Sequence, residues 1–297
     1  LNNEKIKASV KFNETNEITI ENEKIKGKIQ INKLSEDKNN ILETEAGSPI
    51  EGVKFNIYDM ENKLVDTIVT DKNGVATSKK LEKGRYNVQE IETNKWYILD
   101  EKYYDIEIKN NKETIYLNLK NTSKNPDAEI IKNGPDEACV GEEITYNIKV
   151  KNTGNVDLGD FIWEDEIPIN YIKLSKIKLG TYNQEGKYNL YYKTNFSDEY
   201  ILLLEDINTK KSDEIDFKNE ISENEYITNI KLDFGNVGSG FESEEDTLIF
   251  ANVNLNVKSG DVFENNVKLT AKFDGIDILK NSSWKTKVYK VLPLTGM

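Results

Sequence analysis

The chain has 297 residues and carries 53 acids against 40 bases, a net charge of −13; with no local basic stripe to offset it, nucleic-acid binding is excluded. It has no histidine and a single arginine, Arg85, which removes histidine acid–base catalysis, Ser-His-Asp triads and His-ligated zinc. One cysteine, Cys139, leaves no internal disulfide, and no apolar run approaches the ~18 residues that span a bilayer.

Two-residue alternation dominates from the first residues onward. Lys7–Phe12, a polar turn and Glu17–Asn22 form a two-strand pattern that ends in Asn22. Further alternating runs follow at Lys28–Leu34, Val53–Tyr58, Arg85–Ile91, Tyr104–Ile108 and Thr114–Asn121, and then at Glu143–Val150, Tyr226–Phe234, Leu248–Val257 and Phe263–Phe273. Such runs, separated by turn chemistry such as Asp71-Lys72-Asn73-Gly74 and Asn152-Thr153-Gly154-Asn155, predict strands and hairpins. The predicted class is all-β: tandem immunoglobulin-like or prealbumin-like β-sandwiches with little helix.

Thr122–Asp127, with its Pro126, reads as a connection between domains. The boundaries expected are 25–122 for a first sandwich, 123–127 for a linker and 128–290 for a second sandwich. The final strand pattern of the first sandwich repeats that of the opening residues, so 1–24 reads as the last hairpin of a preceding, truncated domain.

Within the first sandwich the alternation puts polar groups on the core face. Ile29, Ile31 and Lys33 share one face; so do Tyr86, Val88 and Glu90, and also Ile115, Leu117, Leu119 and Asn121. A lone buried Lys or Glu costs several kcal/mol, so these three polar residues are expected to meet. Their phase alone allows either a satisfied polar network or a reactive centre.

The motifs around them resemble the collagen-adhesin B-type domain, or SpaA-like pilin fold, of Gram-positive surface proteins. Gly27–Lys33 is similar to its first strand, Pro49–Asp59 to its "PLxGxxFxxYD" stretch, Thr70–Ala76 to its hairpin and Gly84–Glu90 to its "GxYxxxE" box. One departure follows the glutamate: Thr93-Asn94-Lys95-Trp96-Tyr97 stands where the pattern has "APxGY". The resemblance implies a Lys33–Asn121 isopeptide bond with Glu90 as catalyst. Burial disfavours an ammonium and a carboxylate alike, so a neutral Lys33 amine could attack while a protonated Glu90 polarises the amide and shuttles protons as ammonia leaves. This is one turnover per molecule, not an enzyme activity, and it needs no cofactor. The same spacing applied to Asn22 puts its partner lysine upstream of Leu1, so Asn22 is expected to be an orphan.

Val140–Asn155 is similar to repeated immunoglobulin-like surface domains carrying "vGe.ityti.vkNtGn", and Trp163–Pro168 to their "v.D.lP" turn. By strand phase Lys132, Asp165 and Asn265 are candidates for a second cross-link. The plainer reading has Asp165 capping a turn and Asn265 serving backbone groups. Finally, Leu292, Pro293, Leu294, Thr295 and Gly296, within 291–297, resemble the sortase sorting signal "LPxTG". That resemblance implies cleavage after Thr295 by a sortase and transfer of its carbonyl to a peptidoglycan or pilin amine. The expected protein is a wall-anchored surface stalk, adhesin or accessory pilin. Two alternatives stand beside it: a host-ligand-binding adhesin region, whose partner is a host surface protein, and the stalk of a surface enzyme with an upstream catalytic domain.

Overall fold

The computed structural model describes residues 12, 13, 15, 17, 23–222 and 224–290. Asn22, most of the opening hairpin pattern and Leu292–Gly296 lie outside the described residues. The chain divides between Lys124 and Asn125 into two compact units. Strands make up both, and a single 3-10 turn, Phe217–Asn219, is the only helical element among the described residues.

Unit 1 contains β1 (Lys26–Ser35), β2 (Lys54–Asp59), β3 (Leu64–Val69), β4 (Val75–Thr77), β5 (Leu81–Glu82), β6 (Gly84–Glu92), β7 (Tyr103–Ile108) and β8 (Thr114–Asn121). One sheet runs β3-β2-β6-β7, and in the other β1 pairs with β8 on one side and with β4 and β5. Strict alternation gives β1 its inward face: Ile29, Ile31 and Lys33 are all fully buried. The first and last strands are parallel neighbours, with Lys33 opposite Leu119 and Ser35 opposite Asn121. Inward residues of β1 and β8 therefore meet the inward residues of β6 across the core, among Phe55, Ile57 and Val88.

The turn before β4 keeps the turn chemistry its sequence predicts, but it closes no hairpin: β3 and β4 lie in different sheets, and β4 pairs with β1. Asp71 Oδ1 accepts from the N–H groups of Asn73 and Val75, at 2.9 Å each. Gly74 has φ +72°, and a Cβ there would sit 2.4 Å from the Lys33 carbonyl oxygen; its own carbonyl accepts the Lys33 N–H at 2.7 Å. Only glycine lets this loop close over the backbone of Lys33. Gly74→Ala should therefore cost about 1–3 kcal/mol or more in urea melts; an unchanged midpoint would mean the contact is dispensable.

Unit 2 contains β9 (Glu129–Asn133), β10 (Glu137–Cys139), β11 (Glu143–Lys151), β12 (Gly159–Glu166), β13 (Ile172–Lys178), β14 (Thr181–Tyr182) and β15 (Lys187–Thr194). It continues with β16 (Ser197–Asn208), β17 (Glu214–Asp216), β18 (Ile227–Asp233), β19 (Ser243–Glu245), β20 (Thr247–Val253), β21 (Val262–Phe273) and β22 (Ile276–Tyr289). A seven-stranded sheet, β10-β22-β21-β12-β18-β15-β16, faces a five-stranded sheet, β17-β13-β20-β11-β9, with β14-β19 as a small extra pair. Trp163, Phe161, Phe234, Phe241, Tyr182 and Tyr188 fill the space between them. The strand expected over Leu248–Val257 ends at Val253, where the Val253 N–H turns to the Glu142 carbonyl. Residues 123–127 are not free chain. Ser123 is buried and bridges to Tyr97 in unit 1, while the Asp127 carbonyl accepts from Thr153 and Gly154 in unit 2.

Candidate functional site

Lys33, Glu90 and Asn121 converge in the core of unit 1, with relative exposures of 0%, 1% and 2%. Lys33 comes from the first strand, Asn121 from the end of the last strand beside it, and Glu90 from the facing sheet, where it lies opposite Phe55. The Lys33 Nζ is 2.6 Å from Glu90 Oε2, yet neither atom has an aligned hydrogen bond. Asn121 Nδ2 donates to Glu90 Oε1 at 2.5 Å and to Thr93 Oγ1 at 2.9 Å. Its carbonyl oxygen, Oδ1, has no donor at all. A buried polar atom left unpaired costs about 1–3 kcal/mol, and three sit within one site.

Burial is the largest influence on Lys33 and lowers its pKa; the Glu90 carboxylate offsets only part of this. A primary amine that gives up its proton readily, an acid within reach of it and an amide held by that acid are the components of an aminolysis. Thr93 is the member that strand phase could not supply. It follows the end of β6, and its hydroxyl is found only when Asn121 is seen beside it.

The lowered Lys33 pKa has a testable sign. Asn121→Ala keeps Lys33 and Glu90 but removes the acceptor. Between the lowered folded value and the ordinary value of 10.5, the unfolded chain binds the Lys33 proton and the folded chain does not. Stability of the variant should therefore rise as pH rises through that window. Urea melts across the alkaline range should show this Lys33 contribution in Asn121→Ala and not in a wild type whose Lys33 is acylated.

The second set also converges. Lys132 on β9, Asp165 on β12 and Asn265 on β21 have exposures of 2%, 0% and 0%. Lys132 Nζ donates to Asp165 Oδ2 at 2.5 Å and lies 5.0 Å from the centre of the Tyr146 ring. Asp165 is paired with Val267, two residues from Asn265 on the same inward face, which makes Asp165 and Asn265 diagonal neighbours. Burial pushes Lys132 down and Asp165 up, so each is driven toward its neutral form. Asp165 caps no turn: it sits inside β12. Asn265 serves no backbone group, since neither atom of its amide has a hydrogen-bond partner. The plainer reading of these residues is therefore corrected.

Comparison with known proteins bears on unit 1 most directly. Residues 27–123 match the SpaA prealbumin-like fold domain, so unit 1 is a domain of that type. The chain is 30% identical over 126 residues to the trypsin-resistant surface T6 protein of Streptococcus pyogenes serotype M6, covering 38% of this chain and 22% of the relative. It thus spans about a fifth of the length of that curated relative. Among solved structures, the major pilin subunit BcpA of Bacillus cereus is 15% identical, with 90% of this chain and 69% of that one covered and a TM-score of 0.31. The minor pilin GBS52 of Streptococcus agalactiae is 21% identical, with coverage of 34% and 45% and a TM-score of 0.28.

Proposed function

We propose that this chain is a load-bearing stalk segment of a Gram-positive surface protein, an adhesin or accessory pilin locked by intramolecular isopeptide bonds. The observation that carries this reading is the buried Lys33–Glu90–Asn121 constellation, in which a nucleophile, an acid and an amide meet inside a SpaA-type domain. Lys33 Nζ attacks the Asn121 side-chain carbonyl carbon, the bond from that carbon to Nδ2 breaks, and ammonia leaves with the proton that Glu90 relays. The product is a secondary amide between the first and last strands of unit 1. Lys132, Asp165 and Asn265 form the corresponding set in unit 2, with Asp165 as the proton relay.

Leu292-Pro293-Leu294-Thr295-Gly296 completes the reading as a sortase substrate, joined through Thr295 to peptidoglycan or to a pilin subunit at the cell wall. A second reading, host-ligand binding, is favoured by one feature. An open cleft of about 880 Å³ in unit 2 is lined by Lys173, Ser175, Phe217, Tyr226 and Asn254.

Intact-protein mass spectrometry of the denatured chain tests the proposal. The wild type should be lighter than its sequence by two ammonias. Glu90→Ala should restore one and Asp165→Ala the other. An unshifted wild-type mass would overturn the cross-link reading.

A further inference from the structure

The Thr93 hydroxyl has no part in the reaction as derived so far, yet it touches the amide that reacts. The contact is 2.9 Å, to the same Asn121 nitrogen that Glu90 holds at 2.5 Å. Asn121 is thus gripped on one side by two oxygen atoms, while Oδ1 faces the core without a donor. We infer that Thr93 is a second catalytic residue of the bond-forming site, supplying a hydroxyl donor to the Asn121 carbonyl oxygen as Lys33 attacks. This rests on the isopeptide reading of the site.

The argument is one of donors and acceptors. A hydroxyl both accepts and donates, whereas a carboxylate only accepts. With the proton of the buried pair on Lys33, Glu90 and Thr93 both accept, and the amide presents Nδ2 to them. Moving that proton to Glu90 frees the amine and turns Glu90 into a donor. A half-turn of the amide, whose nitrogen and oxygen are nearly the same size, then brings Oδ1 to the position between the two groups. There Glu90 and Thr93 each donate to it.

As Lys33 Nζ adds to Cγ, the electron pair of the C=O bond moves onto Oδ1, and two donors meet the charge that develops. Collapse restores the carbonyl and breaks the bond from Cγ to Nδ2. Nδ2 departs as ammonia, taking up the proton that Lys33 loses by way of Glu90. No other reactant is needed.

The position is distinctive in sequence as well. Thr93 stands where the pattern that this domain resembles has the alanine of "APxGY". An alanine has no hydroxyl, so this donor would be an addition that speeds the reaction rather than a requirement for it. The second site has no counterpart hydrogen bond, since neither atom of the Asn265 amide has a hydrogen-bond partner.

Timed cell-free synthesis of the full chain tests the assignment. Samples are quenched in denaturant at intervals, and ammonia loss is read by intact mass and assigned by peptide mapping. Parallel limited proteolysis reports when unit 1 has folded. Thr93→Ala and Thr93→Val should fold and then form the Lys33–Asn121 bond on the order of 100-fold more slowly than the wild type, and Thr93→Ser should restore the rate. The Lys132–Asn265 bond in the same molecules should keep its wild-type rate. Should Thr93→Ala close the first bond as fast as the wild type after folding, Thr93 is a bystander and the inference falls, with the cross-link reading intact. A wild type that never loses ammonia overturns both.

Discussion

Replacing the buried pair of unit 1 as a whole, Lys33→Met with Glu90→Leu, is expected to lower the stability of this unit by about 4–5 kcal/mol, through the loss of a cross-link that closes a loop of roughly 90 residues. For a domain of about 100 residues, that corresponds to a fall in melting temperature on the order of 20–30 °C. The double substitution is chosen for its sign. An unreacted ion pair with no solvent exposure is expensive to bury, and exchanging both partners for apolar side chains of similar size is neutral or stabilises by about 1–4 kcal/mol. A covalent bond removed by the same exchange takes its loop-closure contribution with it. The two readings of the site therefore predict opposite shifts in one calorimetric experiment. A variant that melts at or above the wild-type temperature would leave unit 1 held by packing alone.

The single substitution Lys33→Met would be less informative. It strands Glu90 in the core, and an uncompensated buried charge costs about 3–5 kcal/mol whether or not a bond had formed. Folding the pH dependence of Asn121→Ala into the same series separates the titration of Lys33 from the loss of its bond. Each variant then removes one component at a time: the acceptor, the hydroxyl, or the whole ion pair.

Strand phase made Lys33, Glu90 and Asn121 legible because each lies in a strand with strict alternation and large apolar neighbours. A polar side chain in such a strand has only two faces to choose from. The same logic reached Asp165 through Phe161 and Trp163, and Asn265 through Phe263 and Val267. It could not say what those residues do there, because turn capping and core pairing are the same letter in a sequence.

The 14-residue β22 was not legible. Only Ile278, Thr286 and Val288 of it are buried, so its alternation is diluted by Lys280, Asn281, Ser282 and Ser283 on a largely exposed strand. Thr93 escaped for another reason. It lies just beyond β6, where no periodicity applies, and its significance is the neighbour that folding brings to it across the core.

The location of Asn265 separates the two units under tension. Asn121 is the last residue of the last strand of its unit, so a bond from Lys33 leaves no strand beyond it to unravel. Asn265 lies on the penultimate strand, and β22 follows it. A Lys132–Asn265 bond would shield the roughly 130 residues between its ends, while the rest of β21 and all of β22 remain outside the closed loop. Single-molecule pulling on unit 2 should then release only the roughly 30 residues outside the loop, seven before Lys132 and the rest after Asn265, or about 11 nm at ~3.4 Å per residue. Asn265→Ala should release the whole unit, about 55 nm on the same scale.

What holds the releasable segment is legible in the pairing. β22 is registered along β21 from Val262 opposite Lys287 to Phe273 opposite Ile276. On its other side β10 runs parallel to it, pairing Glu137, Ala138 and Cys139 with Lys287, Val288 and Tyr289. The Tyr289 carbonyl accepts the Val140 N–H at 3.0 Å, and the Asp136 carbonyl accepts the Lys287 N–H at 2.9 Å. These bonds tie the outgoing strand to a part of the chain inside the shielded loop, and traction along the axis of β22 loads them together. Val140→Pro deletes one of them outright and should lower the release force without altering the released length. A full-length release in the wild type would mean that Lys132 and Asn265 are not joined. A release force indifferent to Val140→Pro would mean that β21 alone holds β22.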